Sequence, residues 1–292
     1  MTGTPRPCLR CFRLTVWVLP LLSLLLASAA AAQPAEREIT RVAGEVYRFR
    51  NNGHYSVFAV TPDGVIATDP IDAEAAAWLK AEIRTRFGKP VKYVIYSHSH
   101  ADHASGGQVF SDTATFVGHE TTRVLLVRDR VQTPIPPVSE AFATTRTVSL
   151  GGTVVELLYL GPNHGDGMIA MRFPKERILF AVDFIPVQSL AYRDFPGAVF
   201  PEWLESLRRA EALDFDILVP GHGPVGRKAD VGLHRAYLED LRDQVTRQVK
   251  AGKSLADTQT LVTLEKYRSW SGYGEMRDLN IEGMYRMVSA AR

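Results

Sequence analysis

Within Ser97-His98-Ser99-His100-Ala101-Asp102-His103, three of the chain's eight histidines and one aspartate fall in six residues. Neutral imidazole and carboxylate are good donors for first-row metals, whereas protonated imidazoles packed this tightly would repel one another. If the backbone stays extended there, His98 and His100 project to the same side, because side chains alternate along a strand. Asp102 and His103 then follow on a turn, and Gly106-Gly107 lets the chain pass close to whatever occupies the site. A single His-x-His is a weak signal. Four donors in one run directly after an apolar strand are a strong one, against the alternative of a solvated polar turn.

Three more segments end a predicted strand or fill a loop with a donor. They are His164 in Gly161-Pro162-Asn163-His164-Gly165, Asp183 after an apolar run, and His222 in Pro220-Gly221-His222-Gly223. Strand ends on one edge of a sheet converge, and sites are commonly built there. Five histidines and two aspartates suffice for two adjacent ions. Both cysteines, Cys8 and Cys11, lie near the N-terminus, so no thiolate is expected among the ligands.

The elements that must position these donors read as follows. Strands are expected over 41–50, 55–60 and 65–68, joined by Asn51-Asn52-Gly53 and Thr61-Pro62-Asp63-Gly64. A helix over 73–87 has Asp72 as its cap and Gly88 at its end. The β-branched and aromatic run 91–96 is the strand that delivers the histidine loop. Further strands are expected over 115–117, 143–150, 153–160, 168–173, 178–182 and 216–219. Helices are expected over 120–131, 201–212, 230–250 and 254–266. Pro134, Pro136 and Pro137 mark an irregular loop, and 184–199 is read as another. Strands mixed with helices, then repeated, suggest two sheets with helices outside.

Among lesser candidates, His54 stands either at the site mouth or on a solvated turn. Tyr192 and Phe195 are candidates to line a substrate pocket or to pack under their own loop. His119 is expected to open a helix without a metal role, His234 to lie on the surface, and Asp166 to cap its turn.

The N-terminus reads as a targeting segment. Arg6, Arg10 and Arg13 precede an apolar stretch over 14–26 and then alanine-rich sites, the pattern of a secretory signal peptide. Cleavage is expected after Ala32, leaving a single domain over 33–292 that is periplasmic or secreted, without stable membrane insertion. The stretch is short for a bilayer span and contains Pro20. Removing three of the 34 basic residues leaves 31 against 32 acidic ones, a net of −1 that argues against nucleic-acid binding.

The run His98-x-His100-x-Asp102-His103, followed by a loop histidine, an aspartate after a strand and Pro-Gly-His-Gly, resembles the metallo-β-lactamase superfamily over nearly all the chain beyond the leader. The resemblance implies a mixed α/β (α+β) fold, a four-layer αββα sandwich with the site at one edge. It implies that His98, His100 and His164 bind one ion, that Asp102, His103 and His222 bind a second, and that Asp183 bridges them. Asp69 matches a position that braces the ligand loop. Two Zn²⁺ are the default cofactor, with iron or manganese compatible with the ligand types. The implied chemistry is attack by metal-bound hydroxide on a small ester, lactone, thioester or β-lactam, with Asp102 orienting the water or moving a proton. Dedicated β-lactamases of the superfamily usually carry Cys or Ser where Asp183 stands, so Asp183 points instead toward thioesterase, lactonase and phosphodiesterase branches. The rival readings are a dedicated β-lactamase, a mononuclear iron oxygenase resembling the persulfide dioxygenases, and a non-catalytic binding module. The expected partner is a small molecule, and nothing in the residues specifies the oligomeric state.

Overall fold

A computed structural model describes residues 1–4, 35–128 and 135–291. Apart from its first four residues, the expected leader lies outside the described residues, as do Pro134 and the end of the helix expected over 120–131. Among the described residues no helix is long and apolar enough to cross a membrane.

Two mixed sheets form the centre. The first runs β1 (Arg37–Ala43), β2 (Val46–Asn51), β3 (His54–Thr61), β4 (Gly64–Thr68), β5 (Val91–Ile95), β6 (Thr115–His119) and β7 (Glu140–Phe142), in that spatial order. Its first four strands are antiparallel neighbours and the remaining pairings are parallel. The parallel crossovers carry α1 (Ala73–Phe87), α2 (Ala101–Ala104) and α3 (Glu120–Arg128). The second sheet runs β8 (Thr145–Leu150), β9 (Thr153–Leu158), β10 (Ala170–Phe173), β11 (Ile178–Val182), β12 (Ile217–Pro220) and β13 (Gly226–Arg227). Here α4 (Phe200–Ala212) joins the parallel pair β11 and β12, and α5 (Lys228–Lys250), α6 (Leu255–Leu261) and α7 (Tyr273–Ala290) close the chain.

Period-two burial shows how the layers stack. In β11, Ile178, Phe180 and Val182 face the first sheet across a core shared with Val57, Ile66 and Ile95. Leu179 and Ala181 face the other way, against Trp203 and Leu207 of α4 and Leu241 of α5. On the far side of the first sheet, Phe58 and Val94 meet Leu79 and Ile83 of α1. The result is helices, sheet, sheet, helices. Each large apolar side chain so buried is worth about 1.5–3 kcal/mol. The α1 boundaries follow local chemistry: Asp72 accepts the Ala75 N–H at 2.8 Å, and Gly88 ends the helix at φ 64°.

Three expectations are corrected. The strand expected over 41–50 is two strands, because the chain reverses at Gly44 (φ 53°) and continues the alternation on the return. The helix expected over 254–266 stops at Leu261, and Leu264 adopts φ 51°. Beyond 266 the sequence reading assigns no element, yet α7 forms there; Gly274 and Gly283 interrupt its pattern.

Parallel pairing places the exits of β4 and β5 together, and likewise those of β11 and β12. The sheets are stitched at that edge by Tyr55 N–H to Gly221 O at 2.8 Å and Ile169 N–H to Ser97 O at 2.9 Å. Gly106 brings the segment after α2 against the β4 exit: a Cβ there would lie 2.3 Å from Asp72 O and 2.4 Å from Pro70 O. Both obstacles are backbone. Gly106→Ala is therefore expected to cost about 1–3 kcal/mol, measured as a lower urea midpoint with unchanged m-value. An unaltered midpoint would disprove this packing.

Candidate metal centre

Asp69 is the brace. It leaves β4 at φ 27° with its N–H bonded to Ile95 O at 3.1 Å, and it is fully buried. Its Oδ1 accepts the Ser97 N–H at 2.8 Å and its Oδ2 lies 3.4 Å from His103 Nδ1. Ser97 Oγ in turn lies 2.8 Å from His98 Nδ1, which leaves His98 Nε2 for the site. Ile71 and Val182, beside the brace and Asp183, hold φ values of 61° and 42°. Such values are outliers for β-branched residues, and strain of this kind gathers where a site demands it.

His98 and His100 do share a side, their ring centroids 4.4 Å apart. The four-residue α2 carries Asp102 and buried His103, tied to the β4 exit by Ile71 N–H to His103 O at 2.9 Å. Asp183 leaves β11 into the middle of the cluster: its Oδ2 lies 3.2 Å from His103 Nε2 and 3.4 Å from His98 Nε2, and its Oδ1 lies 3.4 Å from His222 Nε2. His222, after β12, has its Nδ1 3.0 Å from Gly53 O. His164 brings its ring to 5.3 Å from that of His100.

Donor atoms gather in three triplets, each within 4.8 Å: His98, His100 and Asp183; His103, Asp183 and His222; His54, Asp102 and His222. His164 lies beside these triplets, outside all three. His54 is a half-buried neighbour of the cluster, 3.5 Å from Asp102 Oδ2, and does not stand on a detached solvated turn.

The charges explain how such a cluster tolerates burial. Burial opposes ionisation of Asp183, but His103 and His98 outweigh it and hold the carboxyl well below the usual range. Burial likewise opposes protonation of His103, and Asp183 and Asp69 more than reverse that. Burial, reinforced by neighbouring imidazoles, pushes His100 and His164 down to about 4 and lowers His222 as well. These three rings are neutral donors at neutral pH. His98 Nε2 and Asp183 Oδ1 are buried without any hydrogen-bond partner. Unpaired polar atoms of that kind are costly, and a cation between them would satisfy both, so the residues fit a metal.

Residues 68–222 match the profile of the metallo-beta-lactamase superfamily. The chain belongs to that superfamily. The match supports a metal-dependent hydrolase or a related enzyme. Over 185 residues the chain is 32% identical to the 2,4-dinitroanisole O-demethylase subunit alpha of Nocardioides sp. (strain JS1661), covering 62% of this chain and 56% of that protein. It is 26% identical over 172 residues to a metallo-beta-lactamase type 2 of Elizabethkingia meningoseptica, covering 57% and 68% of the two chains. Among solved structures, a metallo-beta-lactamase from Pontibacter korlensis shares the fold with a TM-score of 0.62 at 22% identity, covering 70% of this chain and 99% of that one. One from Hirschia baltica does so with a TM-score of 0.60 at 18% identity, covering 69% and 97%.

A cavity of about 740 Å³ opens beside the triplets, reached by His54, Asp102 and His222 and walled by Tyr192. Phe195 is not part of it: only 4% exposed, it packs against Phe200 and Trp203. Ser271, Gly272, Glu275 and Met276 also line it, a contribution that no motif signals. His119 accepts the Thr121 N–H at 3.2 Å and sits 2.8 Å from Ala143 O, in keeping with a structural role. Asp166 takes the Tyr159 hydroxyl at 2.8 Å instead of capping its turn. His234, expected on the surface, is fully buried against Trp203 and Tyr237, because α5 is covered by helices on both sides.

Two outcomes follow. Asp69→Asn is expected to weaken metal binding about 10–100-fold, measured by competition with a chromophoric chelator; equal affinity would remove Asp69 from the brace. Burial pushes His234 down to about 3. Below its ordinary value near 6.5, the unfolded chain takes up a proton that the native chain refuses, so stability falls as pH drops. In chelated protein, His234→Leu should flatten the decline in unfolding free energy between pH 7 and pH 5 by up to about 1.4 kcal/mol per pH unit. Parallel declines would contradict the burial argument.

Proposed function

We propose that the protein is an exported dinuclear zinc hydrolase opening a small ester, lactone, thioester or β-lactam. The observation that carries this reading is the buried, unpartnered pair His98 Nε2 and Asp183 Oδ1 at the meeting point of strand exits from both sheets. His98, His100 and His164 would hold one ion, Asp102, His103 and His222 the other, with Asp183 between them. Export rests on the basic, apolar and alanine-rich N-terminal pattern.

When bound, the ions supply a polarising Lewis acid and lower the pKa of water to about 7. The residues do the rest. Asp183, held ionised by its histidines, balances the cations in a buried setting. Burial raises the Asp102 carboxyl, but the His54 hydrogen bond leads the effects that outweigh it and keep the group below the usual carboxylate range. It is therefore an acceptor at neutral pH, able to orient a water and take its proton. His54, 3.5 Å from Asp102 Oδ2, steadies that carboxylate at the cavity mouth. The brace from Asp69 through Ser97 fixes His98 before any substrate arrives.

Convergence of Asp102, His103 and His222 favours two ions over the single iron of the persulfide-dioxygenase-like reading. The Nocardioides relative, named for O-demethylation of 2,4-dinitroanisole, adds activated aryl ethers to the substrates worth assaying. The test is metal analysis with a hydrolase panel of lactones, thioesters, aryl esters, nitrocefin and dinitroanisole. About two zinc per chain is expected, with turnover abolished by chelation and restored by zinc. His100→Ala should lower kcat/KM at least about 100-fold, the scale seen when an electrostatic catalytic group is removed. Turnover that survives chelation, or one iron per chain, would overturn the reading.

A further inference from the structure

The cavity has a second wall built from the loop 184–199 and the start of α7, and its chemistry differs from that of the histidines. Tyr192 is 56% exposed, yet the backbone on either side of it is held. Fully buried Asn280 of α7 donates to Ala191 O at 2.9 Å and to Arg193 O, and it accepts from the Tyr237 hydroxyl. Arg286 donates to Asp194 Oδ2 at 3.0 Å and to Asp194 O at 2.9 Å. Leu190 N–H reaches Ser271 O at 3.0 Å, and Ser271 N–H reaches Gln188 O at 2.9 Å. A Cβ on Gly283 would meet Asp194 O at 2.4 Å, so α7 lies as close to the loop as backbone allows. Gln188, Arg193 and Phe195 hold φ values of 45°, 49° and 59°, a strained set that persists only where the surroundings enforce it. An exposed aromatic on so constrained a backbone suits recognition, since little freedom is left to lose on binding.

Glu275 opens into the same cavity. It is exposed, and it has neither an ion-pair nor a side-chain hydrogen-bond partner among the described residues. Met276 and Leu190 add apolar surface, no Lys or Arg is among the described residues lining the cavity, and the Arg193 guanidinium, 5.9 Å from the Tyr192 ring centroid, shows that this ring takes a cation. A carboxylate and an exposed aromatic ring lining one cavity is a pattern that attracts an organic cation, through charge and cation–π contact together.

We propose that Glu275 and Tyr192 form a subsite selecting substrates whose end remote from the reacting bond is cationic, a quaternary ammonium or protonated amine on an apolar or aromatic body. This rests on the hydrolytic reading for its substrates but not for its binding. Glu275 also lies in the first turn of α7, where a carboxylate favours the helix dipole; that role would change stability and leave selectivity untouched.

The test uses zinc-loaded protein and two isosteric aryl acetates, one bearing a trimethylammonio group and the other tert-butyl. The wild type should favour the cation in kcat/KM by about 5-fold, the scale of an exposed cation–π contact. Glu275→Gln should erase most of that ratio, Glu275→Lys should invert it, and Tyr192→Ala should reduce it. Glu282→Lys, on the same helix but off the cavity, should keep it. Binding of phenyltrimethylammonium, followed by ligand-observed NMR, should weaken in parallel and needs no turnover. Glu275-dependent binding with no zinc-dependent hydrolysis of any ester, lactone, thioester or β-lactam would sink the hydrolase reading alone. A cation preference or binding unchanged in Glu275→Lys would overturn the subsite.

Discussion

A carboxylate that cannot be left alone organises this protein. Asp183 is enclosed at the rim of two sheets, where an isolated charge would cost several kcal/mol. It persists because His98, His103 and His222 each bring a ring nitrogen within 3.4 Å of one of its oxygens. The dependence is mutual: burial disfavours a proton on His103, and Asp183 and Asp69 more than offset it. Yet the arrangement leaves His98 Nε2 and Asp183 Oδ1 unsatisfied. A network satisfied to that degree holds its shape while retaining affinity for a cation, as a preformed ligand set requires.

Topology makes the arrangement possible. Antiparallel neighbours put successive exits at opposite ends, whereas the parallel pairs β4 with β5 and β11 with β12 put theirs together. Asp69 and His98 follow the first pair, and Asp183 and His222 the second. Opposed cores of the two sheets then bring the pairs face to face, and the hydrogen bonds from Tyr55 to Gly221 and from Ile169 to Ser97 close the edge. Positive φ at Asp69, Ile71 and Val182 is the local cost of turning each exit toward a common point.

The candidate donors were legible in the sequence because most of them are polar residues at or just beyond the end of an apolar run, a pattern with few structural uses. The strand expected to carry alternation through His98 and His100 ends at Ile95, yet the chain beyond it still brings their rings together. Legibility failed where a residue's role depends on a distant element. His234 looks like a surface residue from its neighbours Leu233 and Arg235, and only the packing of α5 buries it. Phe195 and Tyr192 sit three residues apart in one loop, yet one is core and the other faces the cavity; that difference is made by α7, which the sequence pattern hides behind glycines. His54 is ambiguous for the same reason, since it opens β3 while its partner Asp102 lies on the crossover from β5 to β6.

The division of labour within the cavity follows from that asymmetry. Everything that holds charge at the reacting end comes from strand exits, which the sheets fix whatever the loops do. The rest of the cavity wall comes mainly from 184–199 and the segment leading into α7, fastened to each other through Asn280, Arg286 and Ser271. Most of these contacts use loop backbone groups, so they constrain where Tyr192 stands without dictating its side chain. A wall of that construction can change its exposed residues while its backbone stays put. The buried donors His98, His103 and Asp183 have less freedom, because exchanging one would strand a buried partner. Selectivity is thus separable from chemistry here, and the boundary between them runs between Asp183 and Pro186 along one short stretch of chain.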